Sequence, residues 1–452
     1  MKRILVAGAG HGGLAAAIKL AKEGLQVTVI EKNSRNNMGY EQADFLDIDD
    51  VTQAGFPVPT EFIQKKIPLS FYAEDENLAP VTQILAEDAY GLCVDRKGFY
   101  DYLLNMAEKV GVRTVFGCQI KAPIILGSRI IGVDSSLGRL YADLIIDACG
   151  VHSPLREKMP DFTGIQRQPL KYEILHAYRG IYNRIPFAPP PQTAYSIYLR
   201  ENGTTGFSWL ISNHPDEVDV LVGRFPEFQP DEIESCIGQL RKDNPHLGQS
   251  LLRGGRVVDI PVRQPLALLV ADGYAAVGDS AFMTVPLKGS GLGYCLLAGS
   301  MLAQAILDDE DGLYTADSLW KYQRAYFESI GFDQCAMALM KNVLPYTQAE
   351  SVSELYRQGI VTQEDMNIFA NGNPLEGKLL NKLSDFGFGR ILEKGKKMID
   401  NSELRRVIFD LTLWLGRFKL IQSTFPEKYD RQEALKWSAR YNEFFESIAK
   451  KD

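Results

Sequence analysis

Apolar and polar positions along the chain mark out a compact opening unit. Lys2 to Ala7 is a short run of β-formers, and Gly8-Ala9-Gly10-His11-Gly12-Gly13 follows it directly. Leu14 to Glu23 has apolar positions at helical spacing, Gly24 ends that helix, and Gln26 to Ile30 is a second, β-branched strand closing on Glu31. Far downstream, Tyr274 to Val277 is a short apolar strand that runs into Gly278-Asp279. The turn Pro286-Leu-Lys-Gly289-Ser290-Gly291-Leu292-Gly293 comes next, and then an apolar helix, Tyr294 to Leu307, with the small residues Ala298, Gly299 and Ser300. Between these regions Tyr195 to Leu199 alternates, Asn202-Gly203 is a hairpin signal, and Phe207 to Ile211 and Val218 to Val222 supply further strands. That pattern predicts an antiparallel sheet. From Leu313 onward the pattern turns helical, and Arg405 to Ile421 is apolar with interspersed charges. Its spacing predicts packing against a core or a second copy, with a helix lying in a membrane interface as the alternative.

The opening unit carries chemistry. Gly8 permits a tight turn, Gly10 lets backbone approach a pyrophosphate, and Gly13 lets helix and strand pack closely. His11 and Gly12 complete the loop, and the helix start offers N–H groups and partial positive charge to phosphate. Glu31, with Lys32 beside it, stands where a carboxylate accepts hydrogen bonds from ribose hydroxyls and repels the extra phosphate of NADP. The adenine half of the ligand is therefore FAD or NAD. Gly278-Asp279 at a strand end suits the sugar-alcohol linker of FAD, although an ordinary helix cap is the bland alternative for Asp279. Gly289, Gly291 and Leu292 expose backbone at a second helix start, which stabilises negative charge on a reduced flavin ring. Asp95 reads as an N-cap of a helix reaching about Lys109, and Arg96 in its first turn opposes the helix dipole unless an anion lies nearby.

Composition narrows the rest. Against 57 Asp+Glu the chain has 49 Lys+Arg, a formal net charge of −8, so no basic field draws nucleic acid. Six dispersed cysteines and five histidines form no zinc or disulfide pattern, which predicts no metal and fits a reducing cytoplasm. No stretch approaches the roughly 20 apolar residues of a membrane span, though peripheral contact with a membrane surface stays open.

Together, GAGHGG (8–13), Glu31, VDR (94–96), IIDACGVHSPLR (145–156), GFSW (206–209) and VGDSAFMTVPLKGSGLG (277–293) resemble the FAD-dependent superfamily that contains p-hydroxybenzoate hydroxylase and, more closely, the geranylgeranyl reductases. The resemblance implies an α/β fold. A Rossmann-type FAD-binding domain of three ββα layers spans 1–165 and 255–312, an inserted antiparallel-sheet substrate domain spans 166–254, and a helical region spans 313–452. It also implies that Gly8, Gly10, Gly13 and Glu31 hold the adenosine diphosphate, that Arg96 and Asp279 hold the flavin side, and that Gly289 to Gly293 face its ring. Asp147-Ala-Cys-Gly150 departs from the family's Asp-Gly turn. Tyr195, Tyr198, Phe207 and Trp209 fall beside the substrate by the same resemblance, with core packing as the competing reading. Arg179, Arg184, Arg200 and Arg224 are candidates for an acidic ligand group, against a default of solvent exposure.

The implied activity is reduction of carbon–carbon double bonds in an apolar, isoprenoid-like small molecule, with electrons from NAD(P)H or a protein carrier. The alternatives are NAD(P)H-dependent hydroxylation of an aromatic substrate, a non-redox use of reduced flavin as in lycopene cyclases, and a flavin-free binding protein on the same fold. No general acid is assigned: His152, His176, Asp44 and Tyr40 are candidates, with a structural role as the default for each. The oligomeric state is not readable from the chain.

Overall fold

The computed structural model describes residues 2–40, 42–75, 77–199, 206–225, 227–343, 347–359, 363 and 401–449. The Asn202-Gly203 turn and Arg200 lie outside the described residues.

Strand Arg3–Ala7 pairs in parallel with Gln26–Ile30 on one side and Leu144–Asp147 on the other. The sheet continues through Arg113–Val115 at one end, and through Tyr274–Ala276 and the antiparallel edge strand Val270–Ala271 at the other. Ile4, Leu5, Val6 and Ala7 are all buried. A continuous apolar run is what a parallel strand covered on both faces requires. Helices His11–Lys22 and Leu292–Leu307 pack together against this sheet, beside helix Arg96–Lys109, and the meander Ile120–Leu126, Arg129–Ser135 and Gly138–Tyr141 makes a third layer. These are the Rossmann-type layers that the motifs imply.

Two glycines let the first and last of these elements meet. A Cβ on Gly299 would lie 2.2 Å from the Gly12 carbonyl oxygen, and one on Gly12 would lie 2.8 Å from Val277. The small residues of the downstream helix thus hold two distant chain segments in backbone contact.

A second sheet of seven strands runs in the order Leu247–Pro261, Ile174–Arg184, Glu217–Arg224, Gly206–Ile211, Tyr195–Leu199, Ser70–Tyr72 and Val81–Thr82. Leu247–Pro261 pairs with Ile174–Arg184 as far as Pro261, so the sheet runs through the boundary expected at 254. Ser70–Tyr72 adds in parallel to Tyr195–Leu199, which lends part of the expected 1–165 unit to the same sheet. Helix Glu232–Asp243 covers one face, where Cys236, Ile237 and Leu240 meet Tyr178, Tyr182, Leu210, Val218, Val220 and Val222. The opposite face carries Leu175, Ala177, Leu221, Phe207, Trp209, Val258 and Ile260.

The C-terminal helices are continuous with the first core. Trp320, Phe327, Phe418, Trp437 and Tyr441 belong to the same buried cluster as Val6 and Leu14. Tyr441 Oη donates to the Pro265 carbonyl at 2.9 Å, and Trp437 Nε1 donates to that of Ile421 at 2.9 Å. Helix Ser402–Gln422 buries Leu404, Trp414 and Phe418, as core packing predicts. No helix among the described residues is long and apolar enough to cross a membrane.

Candidate active site

The glycine turn sits at the C-terminal ends of the parallel strands, where ligands of such sheets bind. Gly8 has φ +88°, and a Cβ there would lie 2.4 Å from the Ala148 carbonyl oxygen. A Cβ on Gly10 would lie 3.0 Å from the same atom, and one on Gly13 would lie 2.6 Å from Ala148 Cβ. Ala148 is itself fixed, its N–H donating to Ala7 O at 2.8 Å. Glu31 is buried at the end of the second strand, accepting from the N–H of Ala9 at 3.0 Å and of Asn33 at 2.8 Å. Its carboxylate is thereby held against the turn. Lys32 is exposed next to it.

Both helix starts are bare. Gly10 caps His11–Lys22 and Gly291 caps Leu292–Leu307 without a side-chain hydrogen bond, and neither helix has an acidic residue in its first turn. Their leading N–H groups and positive dipole ends suit a phosphate and an electron-rich ring. His11 is buried, its ring lies 4.2 Å from the Tyr100 ring centroid, and its Nε2 finds no hydrogen-bond partner among the described residues. Burial, and then the charge of Arg96, hold its pKa well below the ordinary value, so this imidazole is neutral at physiological pH.

Gly278, with φ +69°, opens a single turn, Gly278–Ala281, that presents Asp279. Asp279 Oδ1 accepts from Thr284 Oγ1 at 2.9 Å. Burial raises its pKa, while the Thr284 hydrogen bond and the Arg96 charge oppose that shift. The next helix starts at Leu292, so Asp279 is not its cap.

Asp95 accepts from Gly98 N at 2.9 Å, as the N-cap reading predicts. Arg96 is not a solvated cation. Its Nε lies 3.0 Å from Asp44 Oδ2 and its guanidinium 5.6 Å from the Tyr40 ring. Burial lowers its pKa, but Asp44 and then Tyr100, Tyr40 and Asp279 more than offset that and hold it above the ordinary value. Asp44 in turn meets Arg179 at 3.3 Å, and Arg179 binds both Asp219 oxygens, at 2.9 and 2.6 Å. A chain of charges, Arg96–Asp44–Arg179–Asp219, therefore joins the glycine-rich domain to the second sheet. The default of solvent exposure fails for Arg179, 5% exposed, and for Arg224, fully buried, because each finds a partner inside. Arg184 is half-buried and donates to the carbonyls of Ser212 and His214.

The aromatic residues divide by strand alternation. Tyr195, Phe207 and Trp209 lie on the face that carries Arg179, with Tyr195 against both Trp209 and Phe45. Ile260 on this face lies 3.9 Å from where a Cβ on Gly289 would stand. Through Ile260 this face meets the Gly289–Gly293 turn. Tyr198 points to the other face, stacked on Tyr72 and bonded to Asn244, so it does not share a face with Tyr195, Phe207 and Trp209. Period two puts residues 195 and 198 on opposite faces.

Three of the four candidate acids are committed elsewhere. His152 Nε2 and His176 Nδ1 each lie 2.7 Å from one oxygen of Asp259, and Asp44 serves two arginines. Asp147 accepts from Cys149 N, Ser153 and Tyr274, and Gly150 N–H donates to Ser280 Oγ at 2.9 Å. The departed Asp-Ala-Cys-Gly segment thus ties itself to the Gly278 turn.

Asp50 escaped the sequence reading because no local motif marks it. It sits under the second helix start, where a Cβ on Gly293 would lie 2.1 Å from Asp50 Oδ2. Burial, and then Asp47, push its pKa up to about 7, with Lys288 and Lys66 opposing. A native pKa above the unfolded one contributes stability that is full below about pH 4 and is lost as pH rises towards 7. Asp50→Asn is therefore expected to be more stable than the parent at pH 8 by roughly 1–2 kcal/mol after allowance for partial exposure, with little gain at pH 4.5. Denaturant midpoints at the two pH values check this, and an equal gain at both removes the assignment.

An FAD-binding domain family model matches residues 3–42, and a tryptophan halogenase model matches 58–165. Over 381 residues the chain is 23% identical to a digeranylgeranylglycerophospholipid reductase of Sulfolobus acidocaldarius, covering 80% of this chain and 82% of that one. A reductase of the same name from Haloferax volcanii is 23% identical over 320 residues, covering 66% and 74%. In fold, the chain is similar to a geranylgeranyl bacteriochlorophyll reductase-like protein from Thermoplasma acidophilum, with a TM-score of 0.71, 19% identity and coverage of 85% and 98%. It is also similar to a probable FAD-dependent monooxygenase from Pseudomonas aeruginosa, with a TM-score of 0.58, 20% identity and coverage of 79% and 99%. A glycine turn shaped for a dinucleotide, a second bare helix start joined to it through Gly12 and Gly299, and these relatives together place the chain in the FAD-dependent oxidoreductase superfamily.

Proposed function

We propose that this oxidoreductase reduces carbon–carbon double bonds of an apolar, isoprenoid-like molecule. The observation that carries the reading is the similarity, over about four-fifths of the chain, to a curated enzyme named for reducing a digeranylgeranyl lipid. The wall of Tyr195, Phe207, Trp209 and Ile260, which meets the Gly289–Gly293 turn through Ile260, supports it, since an apolar chain gains roughly 25 cal/mol per Å² buried there.

The residues present fit FAD. Gly8, Gly10 and Gly13 with the bare helix start would receive the pyrophosphate, and Glu31 the ribose. Asp279 and Arg96 would hold the linker and flavin side, and the backbone of Gly289, Gly291 and Leu292 would face the ring. When reduced and bound, FAD supplies the hydride equivalent. The chain's own residues exclude water through the aromatic wall, keep the imidazole of His11 neutral, and hold a proton on Asp50 near neutral pH. Electrons would come from NAD(P)H docking transiently or from a protein carrier, since a single dinucleotide turn is accounted for by FAD itself.

Anaerobic mixing of the photoreduced protein with geranylgeranyl lipids is expected to restore the oxidised flavin spectrum and add two mass units per double bond. Reoxidation by oxygen alone refutes the reading. Oxygen-dependent chemistry is the second reading, favoured by the halogenase-model match. NADPH oxidation that accelerates with a phenol and consumes oxygen would support it.

A further inference from the structure

Helix Ser402–Gln422 is two-faced. Leu404, Trp414 and Phe418 are buried, while Phe409, Leu413 and Leu420 stand 66%, 47% and 70% exposed. At about 100° per residue these three fall within roughly 40° of one another. Their stripe is not an isolated surface leucine of the kind every protein carries. Arg405 borders it on one side, and Arg406 and Arg417 on the other, all three exposed. Arg406 Nε lies 3.8 Å from Asp410 Oδ2, and the Arg417 guanidinium lies 5.4 Å from the Phe444 ring. This cationic border belongs to a chain whose formal net charge is −8.

We infer that this face docks on an anionic lipid surface, with Phe409, Leu413 and Leu420 entering the headgroup boundary and Arg405, Arg406 and Arg417 pairing with lipid phosphates. Apolar side chains framed by arginine are what an interfacial helix presents, and each basic residue near an anionic leaflet adds attraction that salt screens. A second copy of the chain suits the face less well. Two-fold pairing would set arginine against arginine, and three side chains expose on the order of a few hundred Å², below the roughly 800 Å² per partner of a stable interface. The inference is independent of the proposed reaction, because it concerns adhesion and is read without turnover.

The full-length flavoprotein is mixed with vesicles of phosphatidylcholine alone or with added phosphatidylglycerol, and sedimented. Binding is expected with phosphatidylglycerol at low salt and should weaken as salt rises. Phe409→Glu combined with Leu420→Glu should lower the partition about tenfold or more while leaving the flavin spectrum and melting temperature unchanged. Arg405→Glu with Arg417→Glu should remove the preference for the anionic vesicles. No binding to anionic vesicles, or binding that the first variant leaves intact, overturns the inference. So does a concentration-dependent dimer that the same variant dissociates without any vesicle binding, which assigns the face to a second copy.

Discussion

Gly8→Ala is expected to yield a protein with less than about a tenth of the parent's bound flavin. Gly8 sits at φ +88°, where a side chain costs roughly 1–2 kcal/mol in strain alone. Its new Cβ would also stand 2.4 Å from Ala148 O and 2.7 Å from Ala148 C. These are backbone atoms pinned by the parallel pairing of Ala7 with Asp147, so neither can retreat without breaking the sheet at its ligand-binding end. The turn must move instead, and it takes with it the amide of Ala9 that Glu31 accepts from. Both the pyrophosphate and ribose contacts then lose their geometry. Gly24→Ala is the control for strain without a site. Gly24 has φ +84°, but nothing lies within 4 Å of its added Cβ. It should lose about 1 kcal/mol of stability and keep full flavin. The ratio of flavin to protein absorbance in the purified variants measures both, and equal flavin loss in the two would refute the role given to the turn.

The same pair of glycines shows why the opening unit was legible. Strand, turn, helix and acid are local in sequence, and each has its own composition, so 31 residues contain nearly all the information needed. Only the helix boundary moved, to His11–Lys22 from the expected Leu14 start, because the glycines themselves form the first turn. The downstream half was legible for the same reason, and the small residues near Gly299 became meaningful once their partner, Gly12, was known. What stayed hidden is non-local. Nothing near Ser70 announces that it will join a sheet beside Ser196, a pairing across more than 100 residues. Tyr198 could have been separated from Tyr195 by strand alternation, but which face looks toward the glycine turn depends on how the sheet docks. Arg179 and Arg224 were misjudged because exposure is the average fate of arginine, and a specific partner overrides the average.

Arg179→Met is expected to cost about 3–5 kcal/mol, the typical penalty for stripping one partner from a buried ion pair. The Arg179 side chain is 5% exposed and that of Asp219 is 13% exposed, and they are joined by two hydrogen bonds. Removing the guanidinium leaves the Asp219 carboxylate, 13% exposed, without the ion pair that it makes with Arg179. Asp44 suffers less, since Arg96 stays 3.0 Å away. The double variant Arg179→Met with Asp219→Leu should regain at least half of the loss, because the desolvated charge is then gone as well. Urea unfolding of parent, single and double variants decides this, and a single-variant cost under about 1 kcal/mol would show the pair to be solvated. The functional consequence follows from position. Arg179 is the link in Arg96–Asp44–Arg179–Asp219 that fastens the aromatic wall to the segment carrying Asp44, and it also donates to the Ala43 carbonyl. Its loss should loosen the wall while the glycine turn, Glu31 and Asp279 remain intact. The double variant, stable enough to assay, should therefore retain its flavin and bind the apolar substrate more weakly, raising KM more than it lowers kcat.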